Sequence, residues 1–150
     1  VTVISRTSRK AEEAKELGAS RTLATTEEED FFKNHRGEFD LILSTISAEY
    51  DLEAYLGMLK PRGIMSVVGL PPEALPLRLR SIVGGGKVLT GNNIGGIAET
   101  QEMLDFCAEH NLGAVIEKVG VDEVDDAYER VVAGDVKFRF VIDTATFADH

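Results

Sequence analysis

The sequence has no tryptophan, one cysteine, and only 16 basic residues against 26 acidic ones. Each shortage excludes something. A lone Cys107 cannot form an internal disulfide, which fits a reducing compartment. His35, His110 and His150 are scattered, so no cysteine/histidine set has the spacing that zinc requires. A net charge of −10 argues against a general nucleic-acid binder and against an anionic membrane surface. No apolar run approaches the ~20 residues of a membrane span, and no signal-peptide pattern opens the sequence. Low-complexity tracts and internal repeats are also missing. The expectation is a cytoplasmic globular protein, whose 43% hydrophobic residues suffice for a core.

What is present alternates strand and helix. Val1-Thr2-Val3-Ile4 is a β-branched strand that runs into Ser5-Arg6-Thr7-Ser8-Arg9-Lys10, after which Ala11, Ala14 and Leu17 recur at helical spacing as far as Gly18. Arg21–Ala24 reads as a short strand. Thr25 and Thr26 each precede a glutamate by three residues, a capping-box pattern that predicts an acidic helix to about Asn34. Phe39–Leu43 is an apolar strand. A helix carrying Tyr50, Ala54, Tyr55 and Met58 follows, Lys60–Gly63 stops it, and Ile64–Val68 is the next strand. Then come a helical turn at Leu79–Val83, the break Gly84-Gly85-Gly86, a strand at Lys87–Thr90 and a helix at Ala98–His110. A strand at Ala114–Val119 leads to a helix capped by Asp122 with Val124, Ala127, Tyr128 and Val131 as its apolar face. Phe138–Ile142 is the last strand, and the final eight residues read as a fraying tail.

Such alternation predicts parallel βαβ units, hence an α/β fold with a doubly wound parallel sheet. In a Rossmann-type sheet, an apolar strand leading into a basic helix start is the second strand. The sequence is therefore expected to begin inside a cofactor domain of a longer oxidoreductase. The first strand, its glycine-rich turn and the following helix would lie upstream.

The basic turn carries the chemistry. Arg9 and Lys10 are predicted in the first turn of a helix, where cations cost ~0.3–1 kcal/mol each unless an anion compensates. A phosphate would do so, with Ser and Thr hydroxyls adding hydrogen bonds. An NAD-preferring protein places Asp or Glu at the end of this strand, where this sequence has Ser5 and then Arg6, with no acid expected nearby. The spacing alone fits both a phosphate site and a solvated basic helix start. Gly84-Gly85-Gly86-Lys87 lacks the Ser or Thr and the helix of a P-loop and reads as a plain turn. Cys107 reads as a packing residue on an apolar helix side, and no catalytic constellation is visible.

Four strings, Phe39–Ser47, Tyr55–Leu70, Gly91–Cys107 and Asp126–Asp143, occur in an order and spacing that resemble the medium-chain dehydrogenase/reductase superfamily. The resemblance is to its zinc-dependent alcohol dehydrogenases, and within them to the cinnamyl-alcohol-dehydrogenase-like, NADP(H)-dependent aldehyde reductases. It implies that Ser5, Arg6, Thr7, Ser8, Arg9 and Lys10 hold the adenosine 2′-phosphate, and that Thr45, Ile46 and Ser47 lie beside the ribose. It likewise implies that Val68, Gly69 and Leu70 pass the nicotinamide side, that Asn92, Asn93 and Ile94 bind the carboxamide, and that Arg139 reaches cofactor phosphates. Residues 87–90 match the edge strand of a family homodimer.

The family's pyrophosphate turn, zinc ligands and proton-relay hydroxyl match nothing in this sequence, so zinc is expected in the intact parent alone. The resemblance divides the sequence into 1–98, a partial dinucleotide-binding domain lacking its first βα unit, and 99–150, the return of the chain into a catalytic domain. Its implied activity is interconversion of aldehydes and primary alcohols. Two alternatives stay open: a zinc-free quinone or enoyl reductase of the same superfamily, and a non-catalytic nucleotide-sensing or interaction module.

Overall fold

The computed structural model describes residues 1–149, with side chains through Phe147, and His150 lies outside the described residues. The chain forms two compact units, one of residues Val1–Ile94 and one from Gly95 onward.

The first unit runs β1 (Thr2–Ser5), α1 (Ala11–Glu16), β2 (Arg21–Ala24), α2 (Phe31–Asn34), β3 (Phe39–Ser44), α3 (Leu52–Met58), β4 (Leu59–Val67), α4 (Arg80–Val83) and β5 (Val88–Gly91). Every strand pairing is parallel, as the βαβ alternation predicts. β1 pairs with β2, and β3, β4 and β5 form a three-stranded sheet in that order. The core lies under the larger sheet. Leu56, Met58 and Met65 are fully buried and Leu59 nearly so, with Phe31, Ile42 and Leu52 around them. Burying such side chains contributes roughly 1.5–3 kcal/mol each. The start of β3 is tied to the end of α3 by Gly37 N–H to Gly57 O (3.1 Å) and Glu38 N–H to Met58 O (2.8 Å).

Several expectations change. The predicted acidic helix shrinks to four residues, because Asp30 adopts a left-handed conformation (φ 55°) and interrupts it before Phe31. The Thr26 hydroxyl bonds the Arg6 carbonyl instead of capping a helix. The expected stop at Lys60–Gly63 lies inside β4, where the pairing steps from Phe39↔Leu59 to Leu41↔Ile64. The extra residues loop outward, which is how a strand accommodates Pro61 and the positive φ of Arg62.

In the second unit, α5 (Ile97–Glu109) is followed by β6 (Glu117–Val119), α6 (Val124–Val132) and β7 (Phe140–Ile142), with β6 and β7 paired in parallel. Arg130 organises it. Its guanidinium reaches Glu117 (2.8 Å) and Asp135 (3.3 Å) and lies over the Phe140 ring, 4.6 Å from the centroid. Cys107 is half-buried against Met103 rather than in a core. Of the predicted α6 face, Ala127 is buried while Tyr128 is 73% exposed. The expected fraying tail is instead a 3-10 helix, Thr144–Asp149, in which the Thr146 hydroxyl accepts from Val121 N–H and donates to Asp143 O.

One cluster in the first unit makes stability depend on pH. His35 sits between two carboxylates, Nδ1 2.5 Å from Glu38 and Nε2 3.0 Å from Glu28, and Glu38 also pairs with Arg21. The hydrogen bonds to Glu28 and Glu38 hold the His35 pKa above its ordinary value of 6.5. Hydrogen bonds hold both carboxylates below theirs, from Asn34 and then His35 for Glu28, and from His35 and then Arg21 for Glu38. The histidine's contribution is therefore complete below pH 6.5 and lost as pH rises through its raised folded value, while the carboxylates' contributions are lost only in acid. Urea unfolding is expected to show stability falling as pH is raised above 6.5, and His35→Gln should flatten that fall. An unchanged slope in the variant would remove this cluster from the account.

Candidate functional site

The turns after β3, β4 and β5 meet at one end of the three-stranded sheet. Ser44, the last residue of β3, is buried, and its carbonyl accepts from Val68 N–H (2.9 Å) and Gly69 N–H (3.2 Å). Its hydroxyl donates to the Tyr50 hydroxyl at 3.3 Å. These bonds press the turn after β4 onto the turn after β3. A Cβ on Gly69 would stand 2.2 Å from Ile46 O and 2.7 Å from the Thr45 carbonyl carbon, so only glycine fits there. On the other side, Asn92 N–H donates to Val67 O (3.3 Å), and a Cβ on Gly91 would stand 2.9 Å from that same oxygen. Asn92 bends its own turn by accepting from Asn93 N–H at 3.0 Å. Thr45–Ser47, Val68–Leu70 and Asn92–Ile94 thus lie at the carboxyl ends of neighbouring parallel strands, the place where open α/β sheets bind ligands.

The basic turn follows β1. Thr25 N–H and Thr26 N–H donate to Ser5 O and Arg6 O, holding the turn against the end of β2. Arg9 and Lys10 belong to a 3-10 turn, Ser8–Lys10, that precedes α1. The first turn of α1 carries Glu12 and Glu13, so the dipole cost expected for the cations has a local answer. The expectation of no nearby acid is corrected here. Glu27 accepts from Ser8 N–H (2.8 Å) and the Ser8 hydroxyl (3.1 Å), and these bonds lower its pKa. Glu27 lies 19 positions after Ser8, so only the pairing of β1 with β2 reveals the contact. Its carboxylate oxygen holds the donors that a phosphate oxygen would use, which shows that Ser8 can present an N–H and an O–H to one anion.

Between β1 and β3 runs a groove of about 530 Å³, bounded by Val1–Ile4 and Phe39–Ile46. β1 pairs only with β2 and β3 only with β4, so each contributes an unpaired edge to it. Leu41 and Leu43 are 61% and 62% exposed there. Arg139 belongs to the second unit, where its carbonyl accepts from Glu117 N–H just before β7. Among the described residues no three His, Cys, Asp or Glu side chains stand together to hold a metal.

Residues 1–109 match the family model of zinc-binding dehydrogenases. An NADP-dependent alcohol dehydrogenase C of Mycolicibacterium smegmatis is 50% identical over 146 residues, 97% of this chain and 42% of that protein. Cinnamyl alcohol dehydrogenase 7 of Oryza sativa is 46% identical over 95% of this chain and 38% of its own length. Among solved structures, a cinnamyl alcohol dehydrogenase from Sorghum bicolor superposes with a TM-score of 0.89 at 42% identity, covering 97% of this chain and 41% of that one. A Helicobacter pylori homologue complexed with NADP(H) superposes at 0.83 with 36% identity, at the same coverages. The chain thus spans about two fifths of the length of these relatives.

Replacing Gly69 by alanine is expected to lower the thermal midpoint by several degrees, because backbone atoms of Thr45 and Ile46 must move. Gly57→Ala is the control, since a Cβ there meets nothing within 4 Å and helix propensity favours alanine by ~1 kcal/mol. Calorimetry showing Gly69→Ala as stable as Gly57→Ala would contradict the close approach.

Proposed function

The chain belongs to the zinc-binding dehydrogenase family, and from that premise we propose that it is the cofactor-binding part of an NADP(H)-dependent alcohol dehydrogenase that interconverts aldehydes and primary alcohols. Residues 1–98 are a partial dinucleotide-binding domain and residues 99–150 the return segment toward the catalytic domain. The convergence of the three turns at the carboxyl ends of β3–β5 carries this reading. Thr45–Ser47 flank the ribose, Val68–Leu70 line the nicotinamide side, and Asn92–Ile94 offer main-chain groups to the carboxamide. Ser5–Lys10 hold the 2′-phosphate, with Arg139 as a further phosphate contact.

Bound NADP(H) supplies the hydride, and the chain supplies position and charge. Ser8 gives the phosphate its N–H and O–H once Glu27 swings away, while Arg6, Arg9 and Lys10 bring positive charge to a protein of net charge −10. The same carboxylate competes with a 2′-phosphate for Ser8, so the three cations have to outweigh it. Zinc belongs to the parent's remaining chain, and no residue here is assigned to it. The free outer edge of β5, with Val88 46% exposed, supports a homodimer joined through residues 87–90. A cytoplasmic location is part of the same proposal, and no helix among the described residues is long and apolar enough to cross a membrane.

Steady-state kinetics of the intact parent should show preference for NADP(H), and Ser5→Asp combined with Arg9→Ala and Lys10→Ala should reverse it. Equal turnover of NAD(H) and NADP(H) by the unsubstituted parent would refute the role of the basic turn. Separately, metal analysis of the 150-residue chain alone should find no stoichiometric zinc, and assays no alcohol dehydrogenase turnover. Either a zinc equivalent or measurable turnover would overturn the division of labour proposed here.

A further inference from the structure

At the other end of the three-stranded sheet, where β3, β4 and β5 begin, lies a cavity of about 620 Å³. Three cations border it: Arg36, two residues before the β3 approach at Glu38; Arg80, which opens α4; and Lys87, immediately before β5. At least five of the twelve lysines and arginines in this unit are paired with carboxylates: Lys15 with Glu12, Arg21 with Glu38, Lys33 with Asp30, Lys60 with Asp40, Arg78 with Glu53. Arg36, Arg80 and Lys87 have no carboxylate within salt-bridge distance among the described residues. The one acid lining the cavity, Glu53, is engaged by the guanidinium and the backbone N–H of Arg78. In a chain with ten more acidic than basic residues (26 against 16), three cations without a carboxylate partner thus border one cavity.

Lys87 is held in place. Its ammonium donates to Leu56 O, one of the last-turn carbonyls of α3, and the side chain is partly buried. Burial lowers its pKa, and the charge of Arg36 lowers it further, so two like charges are kept close enough to repel. An anion in the cavity would relieve both costs. The glycine loop Gly84-Gly85-Gly86 takes no direct part. Each of its N–H groups, and that of Lys87, is spent within the turn on Arg80, Ile82 or Val83 carbonyls. Recognition would therefore come from side chains, with Ser81 as a neutral hydroxyl beside them.

We propose that this cavity is a second anion site, separate from the turns that meet at the opposite end of the sheet, and that it takes a small multivalent phosphate such as a pyrophosphate or phosphate ester. Arg36 and Arg80 supply charge-assisted hydrogen bonds, and Lys87, held by the Leu56 carbonyl, supplies a fixed charge.

The test is titration of the 150-residue chain with inorganic pyrophosphate at constant ionic strength, followed by amide chemical shifts and thermal midpoint. Saturable one-to-one binding should move the Gly37, Gly57, Gly84 and Gly85 amides and raise the midpoint. Loss of one charge-assisted hydrogen bond already weakens binding about 10-fold, so Arg36→Ala with Arg80→Ala should weaken it by at least ~10-fold. Both arginines are exposed, so this variant is expected to fold. Arg9→Ala with Lys10→Ala, in the basic turn, should leave these shifts unchanged, which separates the two anion sites. The proposal is overturned if pyrophosphate moves none of these amides at 10 mM (roughly the weakest useful range). It is equally overturned if the Arg36/Arg80 variant binds as well, or if sodium chloride reproduces the shifts.

Discussion

The close backbone approach at Gly69 is the constraint on which the arrangement of the site depends. One carbonyl, that of Ser44, accepts two successive N–H groups and draws the turn after β4 onto the turn after β3. The contact is possible because position 69 has no side chain, and it is anchored because Ser44, at the end of β3, is buried. A packed interior transmits such a constraint without slack. The three turns that could line a cofactor thus inherit their positions from the core beneath them.

The second feature of consequence is the groove between β1 and β3. Two parallel sheets present unpaired edges to it, and apolar side chains that a sheet interior would cover, Leu41 and Leu43 among them, stand exposed. Exposed strand edges are a hazard for a chain on its own. They are also what a parallel sheet would show where a further strand is to be received. The basic turn lies on one side of the groove and the turn at Thr45–Ile46 on the other, so a group spanning both would cross it.

Much of this was legible in the sequence, and what was not has physical reasons. The parallel α/β arrangement follows from the period of the apolar runs, and the turns at Thr45–Ser47, Val68–Leu70 and Asn92–Ile94 fall at strand ends because those runs stop there. The acidic helix expected to open at Thr25 or Thr26 and run to about Asn34 is cut short because local capping chemistry loses to pairing with the turn after β1: Thr26 bonds Arg6 instead. Pro61 was read as a stop although a bulge lets β4 contain it. Glu27 was missed because its contact with Ser8 is tertiary, and the cations around the 620 Å³ cavity come from segments up to 51 residues apart (Arg36 to Lys87). No local pattern encodes either.

The central claim is that the turn at Ser5–Lys10 is built for a ribose phosphate. The most direct measurement is equilibrium binding of adenosine 2′,5′-bisphosphate and of adenosine 5′-monophosphate to the full-length protein by calorimetry, with and without Glu27→Gln. The account predicts that the bisphosphate binds at least ~10-fold tighter, as one charge-assisted hydrogen bond allows. It also predicts that Glu27→Gln, which removes a competing negative charge from Ser8, widens the gap by helping the bisphosphate more. Equal affinities for the two nucleotides would contradict it.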